Sequence, residues 1–373
     1  MNLSVCIIAK NEEKHIEKCM QCLSDKEVQI VVADTGSTDK TKEIAKKYTE
    51  FVYDFKWIDD FGAAKQFAVS KAVNDNILIL DCDEYLQSDK TILEKLNSML
   101  ENEPRKAGRI KCINVLGNGS KNTDWITRAF NRKCYKVEGK IHEQIVKTDG
   151  EPADTFLSEV VIKHVGYALN DDEKKKKASR NIKLLKKRLD ELENEIDSNI
   201  QQNNEKEIPY IYYQLGKSYY MEKDYNNACD FFSKGLSFDL EPKLEYVIDM
   251  VETYGYAMLN SGKVQEALSY TSIYDVFGNS ADFKFLMGLI YMKNAMFDEA
   301  VNEFQKAAEY KESRVEGANS YLAYYNIGVI YECLGNIGKA QEYYKKCNGY
   351  SKAVERLKNG RHGNLTKCRK TGV

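Results

Sequence analysis

The sequence predicts an α/β domain in its first half and an all-α domain in its second half. Short apolar runs alternate with amphipathic helical stretches as far as Leu100, which is the pattern of a largely parallel sheet covered by helices. From Pro209 onward, four glycines are each followed twelve residues later by an alanine, which indicates a helical repeat. A chain of 373 residues is long enough to bury two separate cores.

The alternating apolar and amphipathic stretches of the first half predict a series of strands and helices. The expected strands are Leu3 to Ala9, Val28 to Ala33, Phe51 to Tyr53 and Asn76 to Leu80, and the helices carry Ile16, Ile44, Ala63 to Val73 and Ile92 to Leu100. Residues 107–166 contain strand-like pieces without strong helices, which would extend the sheet or cover its open end. A linker helix is expected from Asp171, with an apolar face formed by Ile182, Leu185, Leu189, Leu192 and Ile196.

The charge balance argues against nucleic acid as a partner. With 55 basic and 57 acidic side chains, the formal net charge is -2, so no global field favours a polyanion or an anionic membrane. No apolar run approaches the roughly 20 residues of a spanning helix, and the first residues lack the pattern of a signal peptide. We therefore expect a cytoplasmic protein whose ten cysteines are reduced thiols.

Carboxylates follow two of the expected strands. The stretch "LILDCDEYL" places Asp81, Asp83 and Glu84 behind a buried strand, and "VVADTGSTD" ends its strand in Asp34. A polar loop and a helix cap remain alternative interpretations of these two stretches. However, ligands of such sheets bind at the carboxyl ends of the strands, and carboxylates one residue apart suit a divalent cation that neutralises a diphosphate. Neither phosphate-loop signature, G-x-x-x-x-G-K-[ST] or G-x-G-x-x-G, is present.

Several motifs, taken in order, resemble those of family 2 glycosyltransferases with the GT-A fold. They are "SVCIIAKNEE", "DTGSTDKT", "DCDE", "FGAAKQFA", "RAFNRKCYKVEGKIHEQI" and "IKHVGY", and they cover about residues 1–167. With the repeats, the chain resembles bacterial enzymes that glycosylate polypeptides, such as the S-glycosyltransferases of sublancin-type bacteriocins and flagellin-modifying relatives. The resemblance implies a Rossmann-like mixed-sheet domain at 1–168, a helical linker at 169–208, about four tetratricopeptide repeats at 209–352 and a basic tail at 353–373.

The resemblance also implies roles for individual residues. It assigns the uridine to Ala9, Lys10, Asn11, Glu12 and Asp34, the nucleotide or sugar to Lys65, the ribose or sugar to Asp81, and Mn2+ or Mg2+ to Asp83. Arg128 could bind the diphosphate through two parallel hydrogen bonds. Of the four histidines, His142 and His164 lie at strand-like ends after the "DCDE" motif, and His164 is the expected last metal ligand. A structural histidine that binds a strand end is the alternative.

An inverting transfer needs a base that takes the proton of the acceptor. Glu143, in "KIHEQI", is the first candidate for this base and Asp124 is the second. A purely orienting role for Glu143, toward Arg128 or Lys140, remains open. Transfer to a cysteine would depend less on this base, because a thiol loses its proton more readily than a hydroxyl does.

The expected function is metal-dependent, inverting transfer of a hexose, glucose or GlcNAc, from a UDP-sugar to a Cys, Ser or Thr side chain of a peptide or protein. The repeats would hold the acceptor or form a homodimer. Two alternatives remain: transfer to a lipid or cell-surface glycan, and a repeat scaffold with a degenerate transferase domain.

Overall fold

The computed structural model describes residues 1–117, 119–141, 143–166, 171–195 and 201–360. The chain divides into two compact units, Met1–Asp172 and Glu173–Val373. His142, Ile196 and the basic tail after Gly360, for which the sequence makes predictions, lie outside the described residues.

The first unit is the expected mixed α/β domain. Its described strands are β1 Leu3–Ala9, β2 Gln29–Asp34, β3 Val52–Asp54, β4 Asn76–Asp81, β5 Glu84–Leu86, β6 Lys106–Val115, β7 Lys121–Asn131, β8 Tyr135–Glu138, β9 Gln144–Lys147 and β10 Asp154–His164. Its helices before the linker are α1 Ile16–Gln21, α2 Thr41–Ala45, α3 Phe61–Ser70 and α4 Lys90–Asn102. The fold class predicted from the sequence is confirmed.

Eight of these strands form one sheet in the order β3-β2-β1-β4-β7-β6-β10-β5, and β8 pairs with β9 in a separate two-stranded sheet. The strands β1 to β4 are mutually parallel where they pair. β7 is antiparallel to both β4 and β6, and β10 is parallel to β6. The carboxyl ends of β1, β2, β4 and β10 therefore meet at one edge of the sheet.

Both faces of the central strands are covered. In β1, Leu3, Val5 and Ile7 join the core that contains α1 and α4, whereas Cys6 between them joins the core that contains α3. Alternate residues of a strand point to opposite faces, so a strand with helices on both sides is apolar throughout. Polar side chains are consequently concentrated where these strands end.

The second unit is helical. Its described helices are α5 Asp171–Glu195, which begins in the first unit, α6 Gln201–Met221, α7 Tyr225–Gly235, α8 Glu245–Ser261, α9 Tyr274–Phe277, α10 Ala281–Lys293, α11 Phe297–Ala308, α12 Tyr321–Cys333, α13 Ile337–Lys346 and α14 Ser351–Gly360, with a 3-10 helix at Glu266–Ile273. Pro209 lies inside α6, so the first repeat helix begins earlier in the chain than the sequence pattern indicated. Over the described residues, no helix has both the length and the apolar character required to cross a membrane.

The repeated glycines allow an aromatic ring of the second helix to lie against the first. A Cβ atom added at Gly216 would lie 2.5 Å from the Phe232 ring, and one added at Gly288 would lie 2.6 Å from the Phe304 ring. Gly328 has the same relation to Tyr344. The second repeat differs, because the residues that follow its glycine form the 3-10 helix, and a Cβ atom at Gly255 would meet Leu286 first.

This packing predicts opposite effects for two glycine substitutions in helices. We expect Gly288→Ala to lower the free energy of unfolding by about 1–3 kcal/mol, because the fully buried Phe304 ring must move to admit a methyl group. Gly338→Ala is the matched control, since its nearest neighbour would be 3.9 Å away, and alanine favours helix by up to about 1 kcal/mol. Urea unfolding of both variants measures the difference. Equal stability of the two variants would contradict the packing argument.

Candidate active site

The loops that follow β1 and β2 are joined by hydrogen bonds at the carboxyl edge of the sheet. The backbone N–H of Thr35 donates to the carbonyl of Ala9 at 2.8 Å. Asn11, with a φ of 56°, donates its N–H to Ser37 Oγ at 2.9 Å and accepts from Thr38 N–H at 2.8 Å. The left-handed backbone favours asparagine at this position. The two loops thus form one continuous surface.

Asp34 lies at the centre of this surface with one oxygen unsatisfied. The residue is 3% exposed, and its Oδ2 accepts from the N–H groups of Gly36 and Ser37 at 3.2 and 3.0 Å. Its Oδ1 is buried and has no hydrogen-bond partner among the described residues. A buried acceptor without a donor is costly, so a ligand that donates to Oδ1 would be stabilised here.

A buried network of alternating charges lies at the end of β4. Lys65 Nζ is 2.8 Å from Asp81 Oδ1 and 2.6 Å from Glu143 Oε1. Arg128 Nη2 is 2.9 Å from Asp81 Oδ2 and 2.8 Å from Glu84 Oε1. The side chains of Lys65 and Glu84 are only 4% and 2% exposed. Asp81 is therefore held from both sides by cations.

These neighbours determine the ionisation of the network. Burial opposes ionisation of Asp81, but Lys65 and Arg128 outweigh it and hold the pKa of Asp81 well below its usual range. Burial also opposes the charge of Lys65, and Asp81 and Glu143 outweigh it, so the pKa of Lys65 is raised. Burial raises the pKa of Glu84, although Arg128 acts in the opposite sense. Lys65 therefore stays a cation and is not a candidate base.

The start of α3 brings Glu143 to Lys65. Asp60 caps the helix by accepting from Ala63 N–H at 2.7 Å. In the first turn, a Cβ atom at Gly62 would lie 2.7 Å from the carbonyl oxygen of Gly139, so only glycine permits this approach. Gly62 N–H donates to that same carbonyl at 3.1 Å. The "FG" of "FGAAKQFA" therefore holds the backbone that follows β8 and precedes Glu143.

Asp83 and His164 meet at the same edge. His164 Nε2 is 3.3 Å from Asp83 Oδ2, and Val165 N–H donates to the carbonyl of Asp83 at 3.0 Å. A Cβ atom at Gly166 would lie 1.9 Å from Asp83 Oδ2 and 2.7 Å from His164 Nε2. The absence of a Cβ atom at Gly166 therefore allows the carboxylate–imidazole pair to lie directly against the backbone.

The remaining predicted residues lie around these groups. Asp124 accepts from Asn114 Nδ2 at 2.7 Å. This bond belongs to a different set of contacts from the Lys65–Glu143 pair. Lys10 is exposed, with its Nζ 5.8 Å from the centre of the Trp57 ring. Glu12 donates its backbone N–H to Thr41 Oγ1 at 2.7 Å. A direct contact between Arg128 and a diphosphate stays a prediction, because the structure shows Arg128 bound to carboxylates.

Comparisons with known proteins define the first unit. The profile of glycosyl transferase family 2 matches residues 4–165. The amino-terminal unit belongs to glycosyltransferase family 2. Profiles of the tetratricopeptide repeat match residues 210–234, 281–314 and 321–353, so this transferase domain is followed by tetratricopeptide repeats. The irregular second repeat, around Gly255, lies outside these matches.

The chain is also similar to individual proteins. The glycosyltransferase SunS of Bacillus subtilis is 30% identical over 193 residues, which is 49% of this chain and 44% of SunS, so the match spans less than half of that relative. A repeat-containing protein of Synechococcus elongatus, Synpcc7942_0270, is 23% identical over 91% of this chain and 73% of its own length. The solved glucosyl-3-phosphoglycerate synthase of Mycobacterium tuberculosis, in complex with Mg2+ and UDP, matches at 23% identity over 30% of this chain and 43% of its own, with a TM-score of 0.25.

The buried network of the transferase domain predicts a large difference between two arginine substitutions. We expect Arg128→Met to lower the free energy of unfolding by about 3–5 kcal/mol, because it leaves Glu84 buried without its cation. Arg105→Met removes a pair with Asp149 on the surface, where both side chains are at least 40% exposed, and should leave stability nearly unchanged. Urea unfolding of the two variants tests this contrast. Equal effects would show that the Arg128 network contributes no more than a surface pair.

Proposed function

We propose that the protein transfers a hexose, glucose or GlcNAc, from a UDP-sugar to a Cys, Ser or Thr side chain of a peptide or protein, with inversion. The family of the amino-terminal unit supports glycosyl transfer in general. The donor, the metal ion and the acceptor are our proposals.

The buried, unpartnered Oδ1 of Asp34 is the observation that carries the proposed donor. A uracil N–H or a ribose hydroxyl is a donor of the required kind, and it would satisfy this oxygen without disturbing the bonds that Oδ2 already makes. Ala9, Lys10, Asn11 and Glu12 form the facing loop, so we assign them to the same nucleoside. β2 and β4 lie on either side of β1, so the proposed nucleoside would lie about 10 Å from the carboxylates at the end of β4.

We assign a divalent cation, Mn2+ or Mg2+, to Asp83 and His164. Their oxygen and nitrogen atoms are suitable ligands, and the 3.3 Å between them is near the roughly 3 Å that separates adjacent ligands of an octahedral ion. Within the described residues, no group of three His, Cys, Asp or Glu side chains could hold a metal ion. The remaining ligands would therefore come from the diphosphate and water. When bound, the cation would neutralise the charge that develops on the departing diphosphate.

The buried network is proposed to present Asp81 to the ribose or the sugar. Lys65 and Arg128 bind different oxygens of Asp81, so its carboxylate is held in one orientation. Arg128 thus acts on the donor through Asp81 in this proposal. Lys65 also holds Glu143, which ties the expected base to the carboxylate that contacts the sugar.

Glu143 is our proposed base for the acceptor. Its side chain is 17% exposed, so it is partly accessible from the edge where the donor is expected. For Asp124, the second candidate for the base, we propose a positioning role, because its Oδ2 accepts from the buried amide of Asn114. Glu143 also binds Lys65, a contact that the sequence did not indicate, and an orienting role toward Arg128 or Lys140 stays the alternative.

A polypeptide acceptor is supported by the repeats that follow the transferase domain. Stacked tetratricopeptide repeats present extended surfaces that bind peptides or other protein segments. The matched repeats extend from residue 210 to residue 353. We propose that this surface holds the acceptor chain, and pairing of two copies through the repeats is the other use it could serve.

Donor hydrolysis in the absence of acceptor tests the nucleotide and metal assignments. With Mn2+ and a panel of UDP- and GDP-sugars, we expect slow nucleotide release from one UDP-sugar. Asp83→Asn should reduce the rate at least about 100-fold because a metal ligand is lost. Asp34→Asn should raise the KM for the donor about 10-fold with little change in kcat, since one hydrogen bond of ground-state binding is lost.

The surface substitution Asp25→Asn is the control, because the side chain of Asp25 is 72% exposed and its ion pair is with the adjacent Lys26. It should behave as the unmodified protein. Absence of both turnover and UDP binding in the presence of metal would overturn the proposed function and favour the repeat scaffold.

Glycosylation of peptides tests the base. In a pool of peptides with Cys, Ser or Thr, analysed by mass spectrometry, Glu143→Gln should lower kcat about 100-fold or more while the donor KM changes little. Asp124→Asn should instead weaken metal binding and leave the rate at saturating metal near the original value. A near-normal rate for Glu143→Gln would assign that residue an orienting role only. Sugar found on lipid and on no peptide would contradict the proposed acceptor.

A further inference from the structure

The Asp83–His164 pair is the end of a continuous chain of four hydrogen-bonding side chains. Asp124 Oδ2 accepts from Asn114 Nδ2 at 2.7 Å, Asn114 Oδ1 lies 2.8 Å from His164 Nδ1, and His164 Nε2 lies 3.3 Å from Asp83 Oδ2. The first three residues belong to β7, β6 and β10, and Asp83 follows β4. Asn114 is 4% exposed, so water does not compete for its amide.

We propose that Asn114, oriented by Asp124, is a positioning residue that fixes the hydrogen of His164 on Nδ1 and directs the Nε2 lone pair toward Asp83. The proposal rests on the metal site of the proposed function. It assigns Asn114 a role that the sequence motifs did not indicate.

The polarity of the chain follows from the chemistry of its members. An ionised carboxylate only accepts hydrogen bonds, so the Asn114 atom that faces Asp124 must be its NH2 group. The opposite orientation of the amide would place two oxygens in contact with no hydrogen between them. The carbonyl oxygen of Asn114 therefore faces His164, and the imidazole must donate from Nδ1.

A second donor to the same oxygen agrees with this orientation. The Cys112 thiol lies 3.5 Å from Asn114 Oδ1 and donates to it. Burial raises the pKa of Cys112 well above its ordinary value, so the sulfur keeps its hydrogen. Two donors thus converge on Oδ1, while Nδ2 faces an acceptor. Only one orientation of the amide satisfies all three contacts.

The consequence lies on the other side of the imidazole. With its hydrogen on Nδ1, a neutral imidazole presents a lone pair at Nε2, and this lone pair faces the carboxylate of Asp83 at 3.3 Å. Two acceptors this close repel each other unless a proton or a metal ion lies between them. The chain from Asp124 therefore prepares the pair to receive a divalent cation, and second-shell contacts of this kind change metal affinity about 10- to 100-fold.

Nitrogen-15 NMR of histidine-labelled, metal-free protein tests the tautomer directly. Because the chain has only four histidines, His164 can be assigned by the signal lost in His164→Gln. At pH 8, where an ordinary imidazole is neutral, we expect its hydrogen on Nδ1. Asn114→Ala should shift the population toward the Nε2 tautomer and weaken Mn2+ binding about 10- to 100-fold. Titration calorimetry measures that affinity.

Two further variants separate positioning from a general structural effect. Asn122→Ala alters the residue directly opposite Asn114 on β7, and should leave the tautomer and the Mn2+ affinity unchanged. The double variant Asn114→Asp with Asp124→Asn exchanges the two side chains. The carboxylate at position 114 would accept from His164 Nδ1, and the amide at position 124 would donate to that carboxylate. We expect it to restore the Nδ1 tautomer and to recover the Mn2+ affinity lost in Asn114→Ala.

The outcomes distinguish this inference from the proposed function. A hydrogen on Nε2 in the unmodified protein, or an Asn114→Ala variant with unchanged tautomer and affinity, would overturn the positioning role. If the unmodified protein showed the Nδ1 tautomer but bound no Mn2+, the metal assignment of the proposed function would fail while the effect of Asn114 on His164 stood.

Discussion

The burial of charged side chains at the end of β4 is the strongest physical constraint on this fold. The strand is buried on both faces, yet it ends in Asp81, and Glu84, three residues further on, is 2% exposed. Charges at such a position are costly unless opposite charges accompany them. Lys65 from α3 and Arg128 from β7 supply those charges, so two elements on either side of β4 are held to its end. Loss of Arg128 would leave the buried carboxylate of Glu84 without its cation.

This constraint divides the carboxylates of the "DCDE" motif into two kinds. Asp81 is bound to cations of the chain through both oxygens, and Glu84 accepts from the backbone N–H of Asp81 while it binds Arg128. Asp83 instead faces His164 and lies against the backbone of Gly166. In our account, the first two residues build the rigid base of the site and the third meets the metal. A single motif can thus serve both stability and binding.

Much of this organisation could be predicted from the sequence. The first strand agrees with β1 at both ends, and the strands that end in Asp34 and Asp81 agree within a residue or two, because apolar runs followed by carboxylates leave little freedom. The helix expected from Ala63 begins at Phe61, since Asp60 caps it. The stretch "ITRAFNRKCYKV" was expected as one strand-like piece. It divides into β7 and β8, because its end pairs with β9, which the sequence pattern did not indicate.

The site was less predictable than the fold because its contacts join residues far apart in the chain. The motifs named Asp83 and His164, but nothing local to "KCINV" indicates that Asn114 lies between His164 and Asp124. The pairing of Lys65 with Glu143 likewise depends on the close approach of Gly62 to Gly139. Alternation along β6 and β7 shows only which side chains share a face. Their partners become visible when the register of the strands is known.

The central claim is that this edge of the sheet binds a nucleoside diphosphate together with a metal ion. Titration calorimetry of UDP and of uridine, each with and without Mn2+, tests it most directly. The account predicts that Mn2+ strengthens the binding of UDP at least about 10-fold and leaves the weaker binding of uridine unchanged, because only the diphosphate meets the cation at Asp83 and His164. Binding of UDP that is equal with and without Mn2+, or no binding of either compound, would contradict the account.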